Sequence, residues 1–132
     1  MMHEPYEKRL NHKADFRVKY TFRSPEDGGR QTGEPYQGIR SDFSFLGEDE
    51  KVLYMIWPEF ENQDGNLILE NNCRVPKSGT ARMWIINNEM RPFHYDKITI
   101  GTKGHFREGG TFSADCEVIK ILDLKINPTE NK

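Results

Sequence analysis

The chain has 132 residues, 19 of them basic and 21 acidic, for a formal net charge of −2. That length fits one domain and buries roughly two-thirds of the extended chain's surface on folding, so the core needs no disulfide or metal to hold it. The balanced charge excludes a bulk electrostatic pull toward nucleic acid or anionic lipid, though not a local basic patch, and no apolar stretch approaches the ~20 residues of a spanning helix.

Residues 1–14 are polar and aperiodic and read as a flexible leader. The spacing of Tyr6, Leu10 and Ala14 gives a trace of helix. Residues 16–23 alternate strictly, with Phe16, Val18, Tyr20 and Phe22 on one side, which is a strand facing a core. Turn chemistry from Ser24 to Gly29 ends it. A second strand is expected over 41–46, carrying Phe43 and Phe45. A third is expected over 52–57, stopped by Pro58. An acidic loop follows, with an Asp64-Gly65 turn. Residues 67–69 suit a short edge strand, and 75–79 suit a turn. Residues 80–87 suit a strand covered on both faces. Short strands are expected at 97–102 and 104–106, then a tight turn at Glu108-Gly109-Gly110 and a long last strand over 111–122. No long amphipathic helix appears. Short strands punctuated by Gly and Pro predict an all-β barrel or sandwich over 15–123, with 124–132 as a tail. A closed barrel also removes sticky edges.

The chemistry expected of an enzyme is sparse. There is no Gly-rich loop followed by Lys and Ser/Thr to cradle phosphates, so this chain alone is not expected to bind GTP. His3, His12, His94 and His105 lack metal-ligand spacing, and no Cys-x-x-Cys occurs. Cys73 and Cys116 are expected as reduced thiols of a cytoplasmic protein, Cys116 as a buried inert one, although one disulfide between them stays open. The N-terminus lacks the apolar core of a signal peptide. The Glu48–Glu50 run and Glu59 and Glu61 read as solvated loop charges. No catalytic, cofactor-binding or metal-binding residue is expected, and none of these signals marks an enzyme. Arg30, Arg40 and Arg107 stand out because guanidinium forks suit carboxylates and phosphates. Each either braces the barrel against a nearby acid, such as Asp42 or Glu108, or belongs to a recognition surface.

Two ordered blocks resemble the C-terminal domain, domain three, of translation elongation factor Tu. The first holds the alternating strand, then Glu26-Asp27-Gly28-Gly29-Arg30-Gln31-Thr32 and Gly38-Ile39-Arg40-Ser41-Asp42-Phe43. The second is Phe106-Arg107-Glu108-Gly109-Gly110, followed by the strand ending Val118-Ile119-Lys120-Ile121-Leu122. The similarity covers about residues 16–122, with little match over 47–105 beyond a Pro-x-x-Gly turn at Pro76–Gly79. It implies a small closed antiparallel six-stranded β-barrel standing without its GTPase domain. It also implies that Arg30, Thr32, Arg107 and Glu108 contact a protein partner or RNA, while Arg40 forms a structural salt bridge. Departures from the family pattern lower the basic character: Ile39, Ser41 and Asp42 replace Tyr, Pro and Gln, Tyr36-Gln37 replaces a Phe-Lys pair, and Thr111 replaces Arg. An acid at Asp42 repels phosphate. The implied function is therefore a non-enzymatic binding module for a protein partner. Retained binding to tRNA or the translation machinery, and a decoy of an elongation-factor surface, are the alternatives. No membrane partner and no cofactor are implied.

Overall fold

A computed structural model describes residues 2–131. Six strands form one sheet: β1 (Phe16–Phe22), β2 (Asp42–Phe45), β3 (Ile56–Phe60), β4 (Ser78–Ile85), β5 (Lys103–Glu108) and β6 (Thr111–Ile121). Their order is β2-β5-β6-β1-β4-β3, and every neighbouring pair is antiparallel. The sheet curls into a half-barrel around its apolar face. Bulges between Arg17 and Val18 and between Phe106 and Arg107 add local bend and twist.

The period-2 pattern of β1 turns directly into packing. Phe16, Val18, Tyr20 and Phe22 are all buried, each stabilising the fold by up to roughly 1.5–3 kcal/mol. Tyr20 packs edge-on against Phe60 and Phe22, with ring centroids 5.2 and 5.3 Å apart. Phe106 closes the cluster from β5.

The third strand is displaced from its expected place at 52–57 and runs through Pro58. The reason lies in its edge position. Phe60 N–H points away from β4 and donates to Gln37 Oε1 at 2.8 Å. Pro58, two residues earlier, faces the same way, so its missing donor leaves no ladder bond unmade. Ahead of β3, Tyr54 exchanges two 2.9 Å backbone hydrogen bonds with Phe43, so the segment leading into β3 is bridged to β2 at the other edge of the sheet.

The strand expected at 97–102 is not formed. A short helix, Arg91–His94, begins with Pro92 in its first turn. The chain then winds through local bonds, with Lys97 and Ile98 N–H donating to His94 O at 3.1 and 3.0 Å. Thr102 Oγ1 accepts from Thr99 N–H and donates to Lys97 O. These side-chain bonds compete with a ladder.

The expected leader is packed rather than free. Its helix, Tyr6–Leu10, ends at Asn11 in the left-handed region (φ 58°), where the Asn11 N–H donates to Glu7 O at 3.0 Å. Tyr6 and Ala14 join Trp84 in a second small core, flanked by Leu10, Trp57, Ile86 and Leu122. The expected tail is also fixed: Leu124 is fully buried, and Asn127 Nδ2 donates to Lys13 O and Asp15 Oδ1, both at 2.8 Å. The folded unit therefore extends beyond 15–123 at both ends, because both ends supply side chains that the sheet leaves uncovered. No helix among the described residues is long and apolar enough to cross a membrane.

Candidate functional site

The loop over 24–38 leaves β1 through a tight turn. Gly28 (φ 86°) donates its N–H to Pro25 O at 3.1 Å, and Gly29 N–H donates to Ser24 O at 2.9 Å. A Cβ on Gly29 would sit 2.3 Å from Arg23 O, so only glycine permits this approach. The turn swings Arg30 onto the β5–β6 hairpin. There its Nη1 donates to Glu108 Oε1, its Nε donates to Gly33 O at 2.8 Å, and its Nη2 reaches Thr32 Oγ1 at 3.4 Å. Glu108 Oε2 accepts from Ser113 Oγ. Arg30, Thr32 and Glu108 thus meet, 78 residues of chain separating the arginine from the glutamate. Together with Gly29, Gln31 and Thr111 they line a hollow of about 170 Å³.

The ion pair has a consequence for charge. Arg30 Nη1 is matched by a carboxylate and its Nε by a carbonyl, so this surface presents polar loop atoms rather than a free cation. Thr32 and Gln31 are exposed beside it.

Two of the expected site residues lie elsewhere. Arg107 is buried, not presented: its Nη1 donates to Glu50 O at 2.9 Å and Ser44 Oγ at 3.2 Å, and its Nη2 donates to Gly109 O at 3.3 Å. Its guanidinium lies 3.8 Å from the Phe112 ring centre. It ties the loop after β2 to the hairpin, which corrects its expected role as a partner contact. Arg40 makes no salt bridge among the described residues. Its guanidinium lies over Trp57, 5.2 Å from the ring centre, and the side chain is exposed. The expected structural ion pair is replaced by cation–π stacking, worth roughly 0.5–1 kcal/mol at an exposed site.

Glu59 and Glu61 are not solvated loop charges either. Glu59 is buried and accepts from His3 Nε2 at 2.5 Å, Tyr6 N–H at 2.9 Å and Trp84 Nε1 at 3.1 Å. Burial pushes the Glu61 carboxyl up, but hydrogen bonds from Arg82, Thr80 and Arg17 outweigh it and hold the group below the usual range. Each acid is surrounded by donors and serves the fold. Both cysteines are free thiols, Cys73 exposed and Cys116 buried, and burial pushes the Cys116 thiol upward. A raised thiol is a poor nucleophile. Among the described residues no group of three or more His, Cys, Asp or Glu side chains is placed to hold a metal ion.

One cluster had almost no signature in the sequence. Tyr6, Arg9 and Leu10 from the N-terminal helix meet Arg40, Trp57 and Ile86 around a second hollow. The Tyr6–Leu10 spacing hinted at the helix but not at what it would face. Comparison of the sequence with protein-family models and with curated proteins finds no match.

Proposed function

We propose that the protein is a non-enzymatic binding module related to domain three of elongation factor Tu, and that it offers the 24–38 loop and the β5–β6 hairpin to a protein partner. The observation that carries this reading is the meeting of Arg30 and Thr32 with Glu108. These residues come from the two blocks of resemblance at opposite ends of the chain, and they form one continuous surface. We read the curled sheet as a closed barrel of that family, a reading supported by the Phe43–Tyr54 bridge between β2 and the segment leading into β3.

The choice of a protein over RNA rests on charge. Phosphate recognition needs cations free to replace counterions. Here Arg30 is engaged by Glu108 and Arg107 is internal. Protein–protein interfaces, in contrast, have cores depleted in charged residues and polar, solvent-accessible rims.

Capture from native lysate tests this with the wild-type chain and a Thr32→Trp variant, each with and without nuclease. The reading predicts a protein retained by the wild type after nuclease treatment and lost from the variant. A partner that disappears with nuclease, or one that the variant retains equally, contradicts it.

A further inference from the structure

The hollow between the N-terminal helix and β3 lies outside the region of resemblance on one side, and it does not depend on the function proposed above. Its walls are apolar: Leu10, Ile86 and the Trp57 ring. Two guanidinium groups stand at its rim. Arg40 stacks 5.2 Å from the Trp57 ring centre, and Arg9 stacks 5.4 Å from that of Tyr6. Neither is neutralised at close range. Arg9 has only Glu4 at 3.9 Å, with both side chains substantially exposed, and Arg40 has no ion pair among the described residues. An exposed pair at that distance contributes about 0–1 kcal/mol and is screened by salt.

The two cations line the same hollow, one from the N-terminal helix and the other from the segment ahead of β2. Burial raises the Tyr6 phenol and Glu59 adds to the rise, while Arg9 and Arg40 both pull it down. One hydroxyl therefore feels both guanidiniums. The buried Trp57 Nε1 has no hydrogen-bond partner among the described residues. The hollow thus combines aromatic and aliphatic walls with two cations, and no carboxylate lines it.

We propose that this hollow binds a carboxylate carried on an apolar group, with Arg9 and Arg40 holding the carboxylate and Trp57, Leu10 and Ile86 enclosing the apolar part. Guanidinium forks fit carboxylates in a two-point contact, and aromatic stacking keeps the forks oriented. Size sets the ligand class. At about 230 Å³ the hollow is smaller than the usual ~300–1,000 Å³ of drug-sized sites, so it admits one ring or one branched side chain rather than a nucleotide. Such a group comes either from a free aromatic acid or from the C-terminal residue of a peptide.

Titration of the full chain with three probes, followed by the Trp57 indole N–H in NMR spectra, tests the proposal. The probes are phenylacetate, N-acetylphenylalanine and N-acetylphenylalanine amide. The acids are expected to shift the Trp57 signal and to bind at least about tenfold more tightly than the amide, as loss of a charge-assisted contact predicts. Arg40→Gln and Arg9→Gln, both at exposed positions, are each expected to weaken the acids about tenfold while leaving the amide unchanged. Equal binding of the two acids identifies a free acid as sufficient, and a preference for N-acetylphenylalanine identifies a chain terminus; both support the site. Equal affinity for acid and amide, no shift at Trp57, or acid binding that survives both substitutions overturns it.

Discussion

Asp15 and Arg91 are both fully buried, and their contact is the most concentrated electrostatic feature of the molecule. Arg91 Nε donates to Asp15 Oδ1 at 2.8 Å, and its other nitrogens reach Ile85 O, Asn88 Oδ1 and Pro128 O. Asp15 accepts in addition from Ile85 N–H and Asn127 Nδ2. The start of β1, the end of β4, the second helix and the C-terminal segment are therefore joined at one point. Because each charge is isolated from water, removing one partner strands the other. Arg91→Met is expected to destabilise the fold by about 3–5 kcal/mol, read as a lower urea midpoint at unchanged slope. A loss under about 1 kcal/mol would show that water reaches the pair. His94 makes a second prediction at this scale. It packs against Tyr54 with ring centroids 4.8 Å apart, and its Nδ1 is buried without a partner. Burial, then Lys97 and Arg91, lower its pKa from 6.5 to about 4, with Glu48 opposing. As pH falls the unfolded chain takes up this proton first. The stabilising contribution is whole above pH 6.5, declines toward pH 4 and is absent below it. It amounts to about 3 kcal/mol at most. His94→Phe should flatten the stability profile across that window, and an unchanged profile would contradict the assignment.

At the scale of elements, the N-terminal helix is held by what it caps. His3 and the Tyr6 N–H both donate to Glu59 on β3, and Tyr6 covers Trp84, with ring centroids 5.8 Å apart. Removing residues 2–14 leaves the Glu59 carboxylate with the Trp84 indole alone. The truncated chain should be several kcal/mol less stable, since each unpaired buried group costs about 1–3 kcal/mol, and its Trp84 emission should shift to the red. Emission and stability like those of the full chain would mean the segment only lies on the surface. The Phe43–Tyr54 bridge gives a further expectation: if the outer strands stay joined, both amides exchange with solvent as slowly as those of β1, whereas fast exchange there means an open edge. This scale also separates what the sequence carried from what it did not. β1 and β6 are legible because alternation is local, each residue's side being fixed by its neighbours. β3 was not, because Pro58 is tolerable only on an edge, and edges are decided by distant strands. The helix Tyr6–Leu10 is a single turn stabilised by Glu59, 53 residues away from Tyr6, and no local pattern encodes that.

For the whole molecule, part of the charge is paired within the fold. Glu61 is shared by Arg17 and Arg82, Asp115 by Arg23 and His105, and Glu108 holds Arg30. Reading the sequence picked out Arg30 by its guanidinium chemistry as well as by resemblance, Glu108 as a nearby acid and by resemblance, and Thr32 through resemblance alone, and the fold brings them together. It picked out Arg107 equally, yet that side chain faces inward, because the carbonyl of Glu50 and the ring of Phe112 compete for it more effectively than solvent. Arg40 was legible as a cation but not as lining a hollow with Arg9, since nothing in either segment encodes that placement. Exposed beside the hairpin are Gln31 and Thr32, the part of the loop that the proposed reading offers to a protein partner. A photo-crosslinking residue placed at Thr32, with a second at Lys51 as a control, measures this most directly in native lysate. The account predicts one discrete protein adduct at position 32, resistant to nuclease and to added salt and absent at position 51. A nucleic-acid adduct, or the same pattern at both positions, would contradict it.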